Sequence, residues 1–200
     1  MVAGVAPAAP EDGLPPSIKS IVLLAPDEPR FWPMFTETAE YNDGAPDALD
    51  RWSRKAIGGI ACELDTKAYF PFGGPPYRPF LTWALRSGRC WSSPVGLLVH
   101  DVAGLFISFR GAIGIAETHA SIEAKAPCET CMERPCTTAC PVDALTPDGY
   151  DVPACKRWLT TSAGAVCHGG GCLVRRACPV GAGRRGAAQS SFHMKAFHPV

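Results

Sequence analysis

The 200 residues carry 19 Lys and Arg against 19 Asp and Glu, and 46% of them are hydrophobic. That length and apolar share suit one compact domain, or a medium domain with a small one appended. The longest apolar runs, Gly96–Val99 and Gly104–Ile107, are far too short to span a bilayer. Met1–Pro16 has no Lys or Arg, so it does not read as a secretory signal; the expectation is a soluble, cytoplasmic protein without membrane attachment.

In chain order, residues 1–16 are rich in Ala, Pro and Gly and read as a flexible arm. Ile18–Leu24 (I-K-S-I-V-L-L) is a strand closed by Ala25-Pro26. Pro29 to Tyr41 reads as a helix with Phe31, Met34 and Phe35 on one face. Asp47–Leu64 is the strongest helix, its apolar face drawn from Leu49, Trp52, Ala56, Ile57, Ile60 and Leu64. Lys67–Phe72 reads as a strand ended by Gly73-Gly74-Pro75-Pro76, and Pro79–Arg86 as a short helix stopped by Ser87-Gly88. Val95–Glu117 alternates apolar runs with glycines and predicts two or three antiparallel strands, with Asp101–Gly104 as a turn. These elements predict an α/β sandwich over residues 17–125.

The remainder is dominated by cysteine. Eight of the ten cysteines stand at 128, 131, 136, 140, 155, 167, 172 and 178, as C-E-T-C-M-E-R-P-C-T-T-A-C-P, then Cys155, then C-H-G-G-G-C-L-V-R-R-A-C-P. Each quartet ends in Cys-Pro. A cubane iron–sulfur cluster takes one soft thiolate on each iron, hence four cysteines. Short gaps between ligands let a loop wrap the cluster, and Pro141 and Pro179 end each wrapping. Pro141–Leu145 then reads as a helical turn. Two quartets predict two [4Fe–4S] clusters. In two-cluster ferredoxins the cysteine of each Cys-Pro ligates the other cluster. The same exchange here assigns Cys128, Cys131, Cys136 and Cys178 to cluster 1, and Cys140, Cys155, Cys167 and Cys172 to cluster 2. The spacings C-x4-C in the first quartet and C-x11-C-x4-C-x5-C in the second are wider than usual and leave a [3Fe–4S] form of the second cluster open.

Four thiolates also make a structural zinc site, but the paired Cys-Pro endings and uneven spacings favour iron–sulfur. Disulfides need an oxidising compartment that nothing here indicates. The predicted organisation is α+β: a flexible arm 1–16, an α/β sandwich 17–125, a C-terminal ferredoxin-like dicluster module 126–186 and a tail 187–200. The module holds few large apolar residues, chiefly Leu145, Trp158, Leu159 and Leu173, so the clusters themselves are expected to hold it folded.

The cysteine region resembles the dicluster ferredoxin module of epoxyqueuosine reductases, cobalamin-dependent enzymes of tRNA queuosine synthesis. Ala84–Gly111 (A-L-R-S-G-R-C-W-S-S-P-V-G-L-L-V-H-D-V-A-G-L-F-I-S-F-R-G) is similar to their alanine- and glycine-rich segment that precedes two strands near the corrinoid. The overall make-up also looks like short proteins described as 4Fe–4S ferredoxin-like. The resemblance covers about half the chain and implies a corrinoid or flavin on the N-terminal domain, fed with electrons by the clusters. Those reductases carry an acidic proton donor just before the alanine-rich helix. Here Ala68–Arg86 holds no Asp or Glu, and Gly73 and Gly74 stand at about that position.

Residues 152–200 carry seven basic residues (Lys156, Arg157, Arg175, Arg176, Arg184, Arg185 and Lys195) and no acid, a net +7 that leaves −7 for residues 1–151. The nearest explanation is compensation of cluster charge, since four thiolates bring each oxidised [4Fe–4S] site to about −2. An acidic protein partner and nucleic acid are the weaker readings of the same charge. Cys62 and Cys90 are expected as buried small hydrophobes, and His100 with Asp101 as turn residues rather than a proton-donor pair. His168 is a minor candidate for tuning a ligand. Trp83, Trp91 and Phe109 read as core before they read as a flat-cofactor pocket. The expected function is one-electron transfer with a redox partner protein. A reductase bearing a corrinoid or flavin is the alternative, and a structural or sensing role for the clusters comes third.

Overall fold

In the computed structural model, which describes residues 1–122 and 124–198, the first residues form a strand rather than a loose arm. The elements run β1 (Val2–Pro7), β2 (Ser20–Leu24), α1 (Phe31–Thr36), α2 (Ala39–Asn42), α3 (Ala48–Glu63), β3 (Ala68–Tyr69), α4 (Phe80–Arg86), β4 (Cys90–Ser92), β5 (Leu98–His100) and β6 (Gly111–Ile115). After these come α5 (Pro127–Thr130), β7 (Leu145–Thr146), β8 (Gly149–Tyr150), α6 (Val152–Leu159), α7 (Ala165–Gly170), α8 (Leu173–Ala177) and α9 (Ala187–Phe197). The protein is mixed α and β, in two units: Met1–Cys90 with Ser108–Ala124, and Trp91–Ile107 with Lys125–Val200, whose last two residues lie outside the described ones.

The first unit is built on a four-stranded antiparallel sheet of order β1-β2-β6-β3. The β-branched and leucine run of β2 suits a central strand, and Ile21 and Leu23 are fully buried there. The arm is fixed at both ends. The Met1 ammonium donates to Ala25 O at 2.7 Å. Further on, Asp12 accepts from Trp83 Nε1 (2.9 Å), Ala9 N (2.8 Å) and two bonds from Arg86 Nη2 (2.8 and 2.6 Å). Burial alone would push the Asp12 carboxyl up, but the hydrogen bonds from Arg86, Ala9 and Trp83 outweigh it and hold the group below its ordinary value.

The helix expected over residues 29–41 is two short ones. Thr36 Oγ1 donates to Pro33 O and Thr38 Oγ1 to Phe35 O, while Asn42 Nδ2 takes Thr36 O and Thr38 O. Side chains that bind local carbonyls in this way compete with helix continuation. Phe31 and Phe35 stack at 5.5 Å and meet Trp52 of α3 edge-on. Helix α3 buries Leu49 and Ile57 of the predicted face together with Ser53 and Ala61, while Ile60 and Leu64 of that face are exposed. Ser53 is admitted because its hydroxyl donates to Leu49 O (2.6 Å) and accepts from Arg110 Nε (3.1 Å). Arg110 also pairs with Asp50. Gly111 lets α3 approach the sheet: a Cβ there would lie 2.7 Å from Ile57 Cδ1.

The second unit holds the cysteines, and it differs from the expected module 126–186 at both ends. Residues 91–107 belong to it, and so does α9, which packs on α7 where a tail was expected. Its core joins Val95, Val99 and Leu105 from the upstream segment to Cys136, Val174 and Cys178. The apolar residues missing from the cysteine region thus come from chain that reads as part of the α/β domain. β4 and β5 form one hairpin and β7 and β8 another. Pro141–Leu145 is a turn running into β7 rather than a helical turn, since Asp143 adopts a left-handed φ of 46°.

Candidate metal centre

The cysteines sit on short elements whose ends are punctuated by proline and left-handed residues. Cys128 lies in the single turn of α5, begun by Pro127, and Cys131 stands at its C-cap. Arg134, at φ 43°, reverses the chain into the 3-10 turn Pro135–Thr137, which carries the buried Cys136. Cys178 ends α8 before Pro179. These four thiols line one cavity, together with Ser93, Pro94, Val99, Leu105, Pro127, Arg134, Pro179 and Val180. Burial pushes the Cys128 thiol up, and the nearness of Cys136, Cys178 and Cys131 pushes it further. Cys136 is raised by burial and then by Cys178. Cys178 reaches this group because the turn at Gly104 packs against the chain following it. Gly104 has φ 56°, and a Cβ there would lie 1.9 Å from Val180 O and 3.1 Å from Cys178 Sγ.

The other four cysteines form a second neighbourhood. Asp151 caps α6 by accepting from Ala154 N (2.9 Å), and Cys155 lies in its first turns. Burial pushes the Cys155 thiol up, the Tyr150 hydroxyl pulls it down, and Cys140 and Cys167 raise it. Tyr150 is itself pushed up, first by burial and then by Cys155, and its hydroxyl lies 2.9 Å from His198 Nε2. Burial draws the His198 imidazole down, with the Lys156 charge in support. Cys172 is the N-cap of α8; burial raises its thiol, while backbone N–H groups of Arg175 and Val174 lower it. Ala144 N donates to Cys140 Sγ at 3.2 Å. The eight cysteines therefore fall into the groups 128/131/136/178 and 140/155/167/172, each Cys-Pro cysteine lying with the other quartet.

Two adjacent arginines separate here. Arg176 is exposed, whereas the Arg175 guanidinium donates to Leu105 O at 2.7 Å. Burial lowers its pKa, opposed by Cys172 and Tyr150. Among the described residues this half-buried guanidinium makes no ion pair with a carboxylate, and a partly desolvated cation is stabilised by a nearby anion. Trp158 Nε1, one turn beyond Cys155 on α6, and His168 Nε2, beside Cys167, are buried without a hydrogen-bond partner. These features fit an anionic, sulfur-rich group at the second quartet.

Among the described residues no group of three or more His, Cys, Asp or Glu is placed to hold a metal ion; the four cysteines of the first group line one cavity.

The remaining candidates are placed as follows. Cys90 is buried, but Cys62 is exposed, against expectation, because α3 turns Ile57 and Ala61 inward instead. His100 is fully buried and caps its own turn, Nδ1 accepting from Val102 N and Ala103 N at 3.1 Å, with Asp101 Oδ1 3.0 Å away. Trp83 is core, packed on Tyr69 and Phe80, and Phe109 meets Phe80 at 6.3 Å. Trp91 packs against the core of the cysteine unit. Residues 93–105 as cavity lining were not anticipated; a run of Val95, Val99 and Leu105 ahead of an apolar-poor cysteine region was the available signal. No family model, curated protein or solved structure matches this chain. No helix among the described residues is long and apolar enough to cross a membrane.

Proposed function

We propose that this chain is a two-[4Fe–4S] protein of ferredoxin type that passes single electrons to and from a redox partner protein in a reducing, cytoplasmic setting. The observation that carries this reading is the sorting of eight cysteines into two groups with their Cys-Pro members exchanged. When bound, each cluster supplies one-electron chemistry at core charges of about 2+ and 1+. The chain's part is to hold and insulate it. Cys128, Cys131, Cys136 and Cys178 would ligate one cluster from the walls of an apolar cavity. Cys140, Cys155, Cys167 and Cys172 would ligate the other, with Arg175 as counter-charge and the N–H groups of Ala144, Val174 and Arg175 directed at sulfur.

The resemblance to epoxyqueuosine reductases supports the same cluster module and offers a reductase as the alternative, with a corrinoid or flavin on the first unit. Two experiments test these readings. The Cys178→Ser variant should alter the EPR signal that Cys131→Ser alters, and Cys140→Ser the one that Cys155→Ser alters; the opposite pairing would overturn the exchange. Anaerobic titration of the reduced protein with cobalamin and flavins should leave the cluster spectra unchanged. Tight binding with cluster oxidation would replace the carrier reading with the reductase.

A further inference from the structure

The two quartets differ in what surrounds them, and the inference drawn from this rests on the two-cluster reading. Around Cys140, Cys155, Cys167 and Cys172 polar groups face sulfur. Ala144 N donates to Cys140 Sγ, and Cys172 caps the helix that carries Arg175 one turn later. The half-buried guanidinium of Arg175 donates to the carbonyl oxygen of Leu105, a residue that also lines the first cavity, while its charge bears on Cys172 and on Tyr150 beside Cys155. Residues 152–200 contain no carboxylate to neutralise it. Around Cys128, Cys131, Cys136 and Cys178 the lining is mostly apolar. The cation among those lining residues, Arg134, is exposed and follows Glu133 in sequence.

Net charge, hydrogen bonds to sulfur and solvent exposure set the potential of an iron–sulfur cluster. A half-buried cation stabilises added negative charge more than an exposed one that water and salt screen. We propose that Arg175 makes the cluster held by Cys140, Cys155, Cys167 and Cys172 the more readily reduced of the two, so that an electron taken up by the chain comes to rest there. With both groups bound, Cys128, Cys131, Cys136 and Cys178 would hold the cluster that gives up one electron, and Cys140, Cys155, Cys167 and Cys172 the one that takes it up. No bond forms or breaks, and a low-potential one-electron donor protein supplies the electron.

The test is a potentiometric EPR titration of the reconstituted full chain, preceded by iron analysis. The unmodified protein should show two distinct midpoints, and Cys155→Ser should alter the signal with the higher one. In Arg175→Gln that midpoint should fall while the lower one stays. The electron's equilibrium ratio between the clusters should change about tenfold, equivalent to ~59 mV for a one-electron couple. Arg176→Gln, exposed, should move neither. If Arg175→Gln retains less iron than the unmodified protein, Arg175→Lys decides: a smaller drop confined to the higher midpoint supports the ordering. Coincident midpoints, equal shifts of both, or an effect on the lower one alone would overturn it. A chain that binds no iron would instead overturn the two-cluster reading itself, and the iron analysis tells the two failures apart.

Discussion

The two units stabilise themselves by different means. The first is an antiparallel sheet in which buried Asp12 pairs with Arg86 and Arg110 pairs with Asp50. Its helix α3 covers the sheet with apolar side chains. The second has short helices, two small hairpins and a core in which Cys136 and Cys178 stand beside Val95, Val99, Leu105 and Val174. It also keeps a half-buried arginine, Arg175, that pairs with no carboxylate among the described residues.

The largest test of that contrast is cluster removal. Chelation after mild oxidation should abolish hydrogen-exchange protection across residues 128–180 while the strands β2 and β6 stay protected, because metal binding and folding are coupled in small metal-dependent units. Protection that survives in both units would erase the distinction. Next in size, Asp12→Asn leaves Arg86 opposite a neutral group and should cost the first unit about 3 kcal/mol, as breaking a buried pair does, measured by urea unfolding. The unmodified carboxylate contributes stability above its unfolded pKa, near 3.8, which is lost as pH falls through its depressed folded pKa. Asp12→Asn should therefore flatten the acid limb of stability below about pH 4.

The sequence made part of this visible. β2, α3 and α4 were legible because β-branched runs and three-four apolar spacing report local structure directly. Strand β1 was not, since its Ala, Gly and Pro composition carries no strand signal; pairing with β2 and the Met1–Ala25 bond impose it. The face of α3 was legible at Leu49 and Ile57 but not at Ser53, which looks polar yet uses its hydroxyl twice internally. The two groups of cysteines proposed as ligands follow from Cys spacing and Cys-Pro endings, and the fold brings Cys128, Cys131, Cys136 and Cys178 to one cavity. The cavity wall was not, because Val95, Val99 and Leu105 are adjacent in sequence to the first unit and adjacent in space to Cys136 and Cys178.

Gly104→Ala probes that wall. Its Cβ would meet Val180 O and force a left-handed φ on alanine, at a cost of about 1–2 kcal/mol from the backbone alone. The clash also displaces Cys178, so the variant should lose about half of its iron, one cluster of two. Loss of all or none would show that the cavity is not specific to one quartet. The smallest effect belongs to the first unit: Cys62→Ser, at an exposed position, should change stability by less than about 0.5 kcal/mol and leave iron content untouched.

The central claim is most directly tested by iron and acid-labile sulfide analysis of anaerobically purified protein. The account predicts a brown protein with about eight of each per chain and a signal from two reduced [4Fe–4S] centres. A colourless protein carrying stoichiometric zinc and no labile sulfide would contradict it.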